Sequence, residues 1–110
     1  VNQSKRGEVW LVDLGMAAKV RPCVVISVPI TEVDRALVTL IPHTTSLRNS
    51  RFECAVSVRF LKGGAFDAQG IVTVPTVKLL RRLGILNSEQ LSAVEKAVAS
   101  WLGLKTGGAG

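Results

Sequence analysis

Arg21-Pro22-Cys23-Val24-Val25-Ile26-Ser27-Val28 is a near-continuous aliphatic run that stops at Pro29. Its β-branched residues follow one another without polar alternation, the signature of a strand buried on both faces; Pro22 is confined to the first residues, where a missing N–H is tolerated. Upstream, Gly7 opens Glu8-Val9-Trp10-Leu11-Val12-Asp13, closed by Leu14-Gly15, a second stretch rich in β-branched and aromatic residues. Residues 16–20 form the short loop between these strands. Downstream, the polar segment 31–35 leads into a third strand over 36–41, halted by Pro42. Residues 52–60 alternate, with Phe52, Cys54, Val56 and Val58 set against Glu53, Ala55, Ser57 and Arg59, as in a half-solvated antiparallel strand. Lys62-Gly63-Gly64 then turns the chain, and residues 70–74 supply a fifth strand.

The period changes after Val74. Pro75 suits the first turn of a helix, Leu79, Leu80 and Leu83 follow at helical spacing, and Gly84 can cap the end, which predicts a short helix. Asn87-Ser88-Glu89-Gln90 reads as an N-cap box, after which Leu91, Val94, Val98, Trp101 and Leu102 repeat on one face up to Gly103. Strands first and a packing helix last predict a mainly β, α+β fold. The expected form is a small, strongly bent antiparallel sheet or SH3-like barrel of about five to seven strands, closed by a C-terminal helix. One domain is expected over residues 1–104, with 105–110 as a flexible tail.

The 110 residues carry 14 Lys and Arg against 8 Asp and Glu, a formal charge of +6, and 47% are hydrophobic. A mean hydropathy of +0.34 is high for a chain that buries only about two-thirds of its unfolded surface, so some apolar surface is expected to meet a partner, as in a homodimer. No apolar run exceeds four residues, whereas a membrane helix needs roughly 20 and a signal peptide roughly 7–15, so neither membrane insertion nor export is expected. Cys23 and Cys54 each sit in an aliphatic stretch, with no Cys-x-x-Cys pair and one histidine in the chain. That excludes a structural zinc site and favours two reduced core thiols in a cytoplasmic protein over a disulfide or a reactive thiol.

No dinucleotide fingerprint, phosphate-loop lysine or Ser/His/Asp arrangement is present. Two other features carry chemistry. His43-Thr44-Thr45-Ser46-Leu47-Arg48-Asn49-Ser50-Arg51 joins two strands and combines hydroxyls and guanidiniums without an acid. Hydroxyls and backbone N–H groups can bond phosphate oxygens while arginines add paired donors; an ordinary solvated loop fits the same composition. Arg21 places a cation at the mouth of an aliphatic strand, where it faces either water or a partner anion.

Three blocks in order and spacing, 6–13 (Arg-Gly-Glu-Val-Trp-Leu-Val-Asp), 21–26 (Arg-Pro-Cys-Val-Val-Ile) and 40–45 (Leu-Ile-Pro-His-Thr-Thr), resemble the N-terminal blocks of the MazF/PemK toxins of bacterial toxin–antitoxin systems. The resemblance extends more loosely through Gly70-Ile71-Val72 and Arg82-Leu83-Gly84 to the last helix, over about nine-tenths of the chain. It implies an SH3-like barrel homodimer, a fold shared with CcdB-type toxins. The implied activity is metal-independent, cofactor-free cleavage of single-stranded RNA at short sequences, leaving a 2′,3′-cyclic phosphate and a 5′-hydroxyl. A cognate acidic antitoxin is the implied protein partner. The family's catalytic arginine maps to Arg21 and its catalytic threonine to Thr44. Chemistry favours the same pair, because an arginine and a hydroxyl supply the charge and hydrogen bonds that phosphorane oxygens need.

RNA contacts are expected from Lys19, Thr45, Arg48 and Arg51, which flank those positions. His43 is a further candidate, but period two along a strand reaching Thr44 sets it on the opposite face. Two departures from the family stand out: the loop before Arg21 is short, with Lys19 as its only charge, and the place of an acid that some members carry after the fifth strand holds Pro75. Trp101 resembles the C-terminal tryptophan with which CcdB-type toxins poison DNA gyrase; the other reading is a helix residue packed on the barrel or a dimer seam. A gyrase poison and a non-catalytic single-strand binder are thus the alternatives to a ribonuclease, though sparse aromatics fit a stacking platform poorly.

Overall fold

A computed structural model describes residues 3–15 and 19–105. The tail segment 106–110 and residues 16–18 of the short loop lie outside the described residues. Among the described residues seven strands precede one α-helix: β1 (Glu8–Asp13), β2 (Val20–Val25), β3 (Leu37–Thr44), β4 (Glu53–Ala55), β5 (Ala65–Asp67), β6 (Val72–Pro75), β7 (Leu79–Ile85) and α1 (Ser88–Leu102). All the strand pairings are antiparallel, in the order β4-β5-β3-β2-β1-β7, with β6 also on β3. The expected mainly β fold with a C-terminal helix is therefore present, as a bent sheet whose end strands β4 and β7 do not pair with each other.

The aliphatic run of β2 buries both faces, as its composition predicts: Cys23, Val24 and Val25 are all fully buried. One face joins Val9, Val24, Ile41 and Phe66 to Val94 and Val98 of α1, forming the helix-side core. The other face packs Val12, Cys23, Val25, Val38, Leu40 and Leu79 into a second core. Alternation along β1, β2 and β3 thus feeds two cores from one layer.

β3 is longer than expected and passes through Pro42. β6 pairs with Leu37 to Leu40 and β5 with His43 and Thr44, so Pro42 falls where that edge of β3 changes partners and no ladder bond needs its missing N–H. The helix α1 has the expected capping box, with Gln90 N–H donating to Asn87 Oδ1 at 2.8 Å and Asn87 N–H to Gln90 Oε1 at 2.9 Å. It ends at Gly103 in the left-handed conformation.

Two expectations are corrected. Residues 52–60 are not one strand, since only Glu53–Ala55 pairs, against a β5 of equal length. Their alternation is real nonetheless: Phe52, Cys54, Val56 and Val58 all pack on the helix-side core, from loop backbone beyond Ala55. The helix expected from Pro75 to Gly84 is a single 3₁₀ turn, Thr76–Lys78, followed by β7. Register shifts against β1 between Val9 and Trp10 and between Leu11 and Val12 leave Leu83 and Leu80 as extra residues. Such bulges break period two and imitate helical spacing. Gly84 is bare for another reason: a Cβ there would lie 2.4 Å from the Phe60 ring.

Candidate active site

β2 and β3 pair with Cys23 opposite Pro42, Val24 opposite Ile41 and Val25 opposite Leu40. Carrying this register two residues outward sets Arg21 opposite Thr44, where cross-strand neighbours share a face. Both line one cavity of about 410 Å³, together with Leu14, Pro42, His43, Asp67, Gly70 and Val72. Arg21 is half-buried and its Nη1 donates to the His43 carbonyl oxygen at 3.5 Å. Thr44 Oγ1 accepts the Ser46 N–H at 3.0 Å, which occupies a lone pair and leaves the hydroxyl proton for an incoming acceptor.

A second cavity of about 380 Å³ shares Arg21 and His43 and is lined further by Leu11, Pro22, Thr45, Phe60, Leu61, Lys62, Arg81 and Leu83. Arg21, Lys62 and Arg81 have no carboxylate partner among the described residues, so three free positive charges line this cavity together with Phe60. Arg82, next in sequence, is occupied instead by Glu8, at 3.1 Å.

The backbone behind the pair is tightly packed. A Cβ on Gly64 would sit 2.3 Å from the Thr44 carbonyl oxygen and 2.9 Å from His43 Cε1. His43 is buried, with its ring edge on Phe66 at a centroid distance of 5.2 Å. Burial pulls its pKa below the ordinary imidazole value, and Nε2 has no hydrogen-bond partner. The ring thus packs against Phe66 of the helix-side core while its residue also lines both cavities. Both cysteines are free thiols. Cys23 donates its S–H to the Arg21 carbonyl at 3.6 Å, and burial, opposed only partly by the Arg21 charge, pushes it up to about 12. Burial raises Cys54 as well.

Of the residues singled out in the sequence, Arg21, Thr44, Thr45 and His43 come together, whereas Lys19, Arg48 and Arg51 line neither cavity. Lys19 adopts a positive φ of 50°, its N–H donating to the Gly15 carbonyl at 2.9 Å and its carbonyl accepting the Leu14 N–H at 2.7 Å. Arg51 stacks its guanidinium 4.6 Å from the centre of the Phe52 ring, which in turn meets Trp101 edge-on. That contact seats Trp101 on the fold while leaving it 42% exposed. The loop also proves less free to bind anions than its acid-free composition suggests. Glu53 folds back under it and accepts the N–H groups of Arg48, at 3.0 and 3.2 Å, and Ser50, at 3.1 Å.

Sequence reading missed Lys62, Arg81 and Asp67. Arg81 was hidden by the helical misreading of β7. The Asp-Ala-Gln-Gly stretch at 67–70 has the form of a capped turn, since Asp67 Oδ1 accepts the Gln69 N–H at 3.1 Å, and that signal could have marked the turn.

The sequence pattern of the "PemK-like, MazF-like toxin of type II toxin-antitoxin system" matches residues 5–102. Among solved structures, an endoribonuclease from Mycobacterial species superposes with a TM-score of 0.80 at 24% identity, covering 97% of this chain and 98% of that one. An endoribonuclease in complex with its cognate antitoxin, also from Mycobacterial species, gives 0.78 at 24% identity, with 97% and 100% covered. MazE-MazF from Deinococcus radiodurans gives 0.79 at 17% identity, with 96% and 100% covered. At these identities the likeness establishes the shared fold.

Proposed function

The chain belongs to the PemK-like, MazF-like family of type II toxin–antitoxin toxins, and we propose that it is an endoribonuclease whose reaction centre is the cavity holding Arg21 and Thr44. The observation that carries this reading is the juxtaposition itself: a half-buried guanidinium and a hydroxyl with an uncommitted proton line one cavity. That pair suits the phosphorane formed when a ribose 2′-hydroxyl attacks the adjacent phosphorus. The new P–O2′ bond forms as the P–O5′ bond breaks, the 2′ proton passes to water, and the departing 5′ oxygen takes a proton from water. A 2′,3′-cyclic phosphate and a 5′-hydroxyl result. The part of Arg21 is to stabilise negative charge on the non-bridging oxygens, with Thr44 donating to one of them.

Among the described residues no group of three or more His, Cys, Asp and Glu side chains is placed to hold a metal ion, and the mechanism proposed uses none. Incubation with a long single-stranded RNA in EDTA should produce new 5′-hydroxyl ends at a few short sequences. Intact RNA would count against the activity and favour the gyrase or binding alternatives.

The RNA backbone is proposed to follow the second cavity, where Lys62 and Arg81 stand free beside Arg21, with Thr45 at the rim and Phe60 offering a ring to a base. Lys19, Arg48 and Arg51 are proposed as outer contacts only. Neutralising Lys62 and Arg81 together should lower the salt dependence of RNA binding by about two phosphate contacts, and neutralising Arg48 and Arg51 should lower it less. The reverse order would route RNA over the loop instead.

No helix among the described residues is long and apolar enough to cross a membrane. We further propose a cytoplasmic homodimer that binds an acidic antitoxin, supported by the +6 charge and by exposed apolar side chains such as Val28, Val77 and Leu80. A sedimentation mass of one subunit at micromolar concentration would contradict the dimer.

A further inference from the structure

Asp67 is out of place for a protein built to hold a polyanion. It stands at the end of β5, one residue beyond the His43–Phe66 pair, and lines the same cavity as Arg21 and Thr44. It has no ion pair among the described residues. Oδ1 is used, capping the 3₁₀ turn by accepting the Gln69 N–H at 3.1 Å. Oδ2 has no hydrogen bond and faces Gly70, lying 3.7 Å from where a Cβ on that residue would be. The turn is held firmly, since the same Cβ would meet Pro42 Cγ at 2.8 Å. Asp67, with one carboxylate oxygen uncommitted, therefore lines a cavity whose other walls include Leu14, Pro42 and Val72.

A phosphate beside this oxygen would be repelled, so the carboxylate opposes the backbone of the strand it shares a cavity with. It is favourable only toward a group that donates hydrogen bonds. Apolar walls with one acceptor at the edge match a flat heterocycle bearing an amino group, and the cavity volume of about 410 Å³ accommodates one base. Resting on the ribonuclease reading for the placement of the scissile phosphate at Arg21, we propose that Asp67 is a specificity-determining residue. The cavity takes one base carrying an exocyclic amino group, whose N–H donates to Oδ2, and disfavours uracil, which has a carbonyl oxygen in place of that amino group and only the ring N3–H to donate.

Cytosine and uracil have nearly the same shape and differ at this edge, so they isolate the contact. The test is equilibrium binding of 2′-O-methyl oligo(C) and oligo(U), which cannot be cleaved at the 2′ position, to the parent chain and to Asp67→Asn. The asparagine keeps an oxygen to cap Gln69 and nearly the same volume, and puts an amide N–H₂ where Oδ2 was. The parent should bind oligo(C) about 10- to 100-fold tighter than oligo(U), and Asp67→Asn should bring the two within about threefold while melting where the parent does. Equal binding of the two by the parent, or a preference that survives in a folded Asp67→Asn, overturns the proposal. Should Asp67→Asn not fold, the parent's own ratio decides. Cleavage of ordinary RNA, run in parallel, separates the two readings: a cytosine preference without cleavage sinks the ribonuclease and leaves the base contact, and cleavage without the preference does the opposite.

Discussion

Arg21→Lys is expected to lose most RNA cleavage, and Thr44→Val about 100-fold in single-turnover rate, with melting temperatures close to the parent's. The lysine keeps the charge. It loses the planar fork, and with it the second donor to a phosphorane oxygen and the directional bond by which Nη1 meets the His43 carbonyl. The valine keeps the shape of Thr44 and removes both the proton proposed for the phosphate and the acceptor of the Ser46 N–H. Neither residue belongs to the two buried cores, and both sit at strand ends beside a cavity, so folding should survive. Near-parental cleavage by either well-folded variant would remove the assigned role, and cleavage by Arg21→Ala would remove the site.

Gly64→Ala should also abolish most activity, although the residue touches no substrate. Its methyl group would meet the Thr44 carbonyl oxygen at 2.3 Å and the His43 ring at 2.9 Å, closer than atoms approach, so the end of β3 or the turn must move. Overpacking of this kind costs about 1–3 kcal/mol. For a domain of this size each kcal/mol lowers the melting temperature by roughly 4–8 °C. A displacement of about 1 Å at the reacting groups is enough for a loss on the order of 100-fold. Single-turnover kinetics beside a melting curve would check both effects, and a variant that cleaves and melts like the parent would show that the β3 end tolerates movement.

β1, β2, β3, β6 and α1 are legible in the sequence because each is written by one local pattern: aliphatic runs for the strands, a capping box and an apolar stripe for the helix. The remainder depends on pairing that residue types do not encode. β5 is three residues long and exists because the end of β3 offers it an edge. The bulges of β7 against β1 disguise its period, and Gly84 looks like a helix cap only until the Phe60 ring is seen on it. Among candidate site residues, Arg21 and Thr44 could be found because the family resemblance marks both as motif positions, and the register of β2 on β3 then brings their strand ends side by side. Lys62, Arg81 and Asp67 arrive from a turn, a bulged strand and a 3₁₀ cap, and their placement around the two cavities is a product of tertiary folding. Glu53 shows the converse: an acid two residues beyond an apparently acid-free loop takes the amides that the loop would otherwise offer to an anion.

The most direct measurement compares two RNA oligonucleotides that share one cleavage sequence, one all-ribo and one with a 2′-deoxy substitution at the nucleotide preceding the cut, both incubated with the protein in EDTA. The all-ribo strand should be cut to a 2′,3′-cyclic phosphate and a 5′-hydroxyl, and the deoxy strand should stay whole because the attacking hydroxyl is gone. Cutting of both strands, or dependence of the cut on added metal, would contradict phosphoryl transfer to the 2′ oxygen at Arg21 and Thr44.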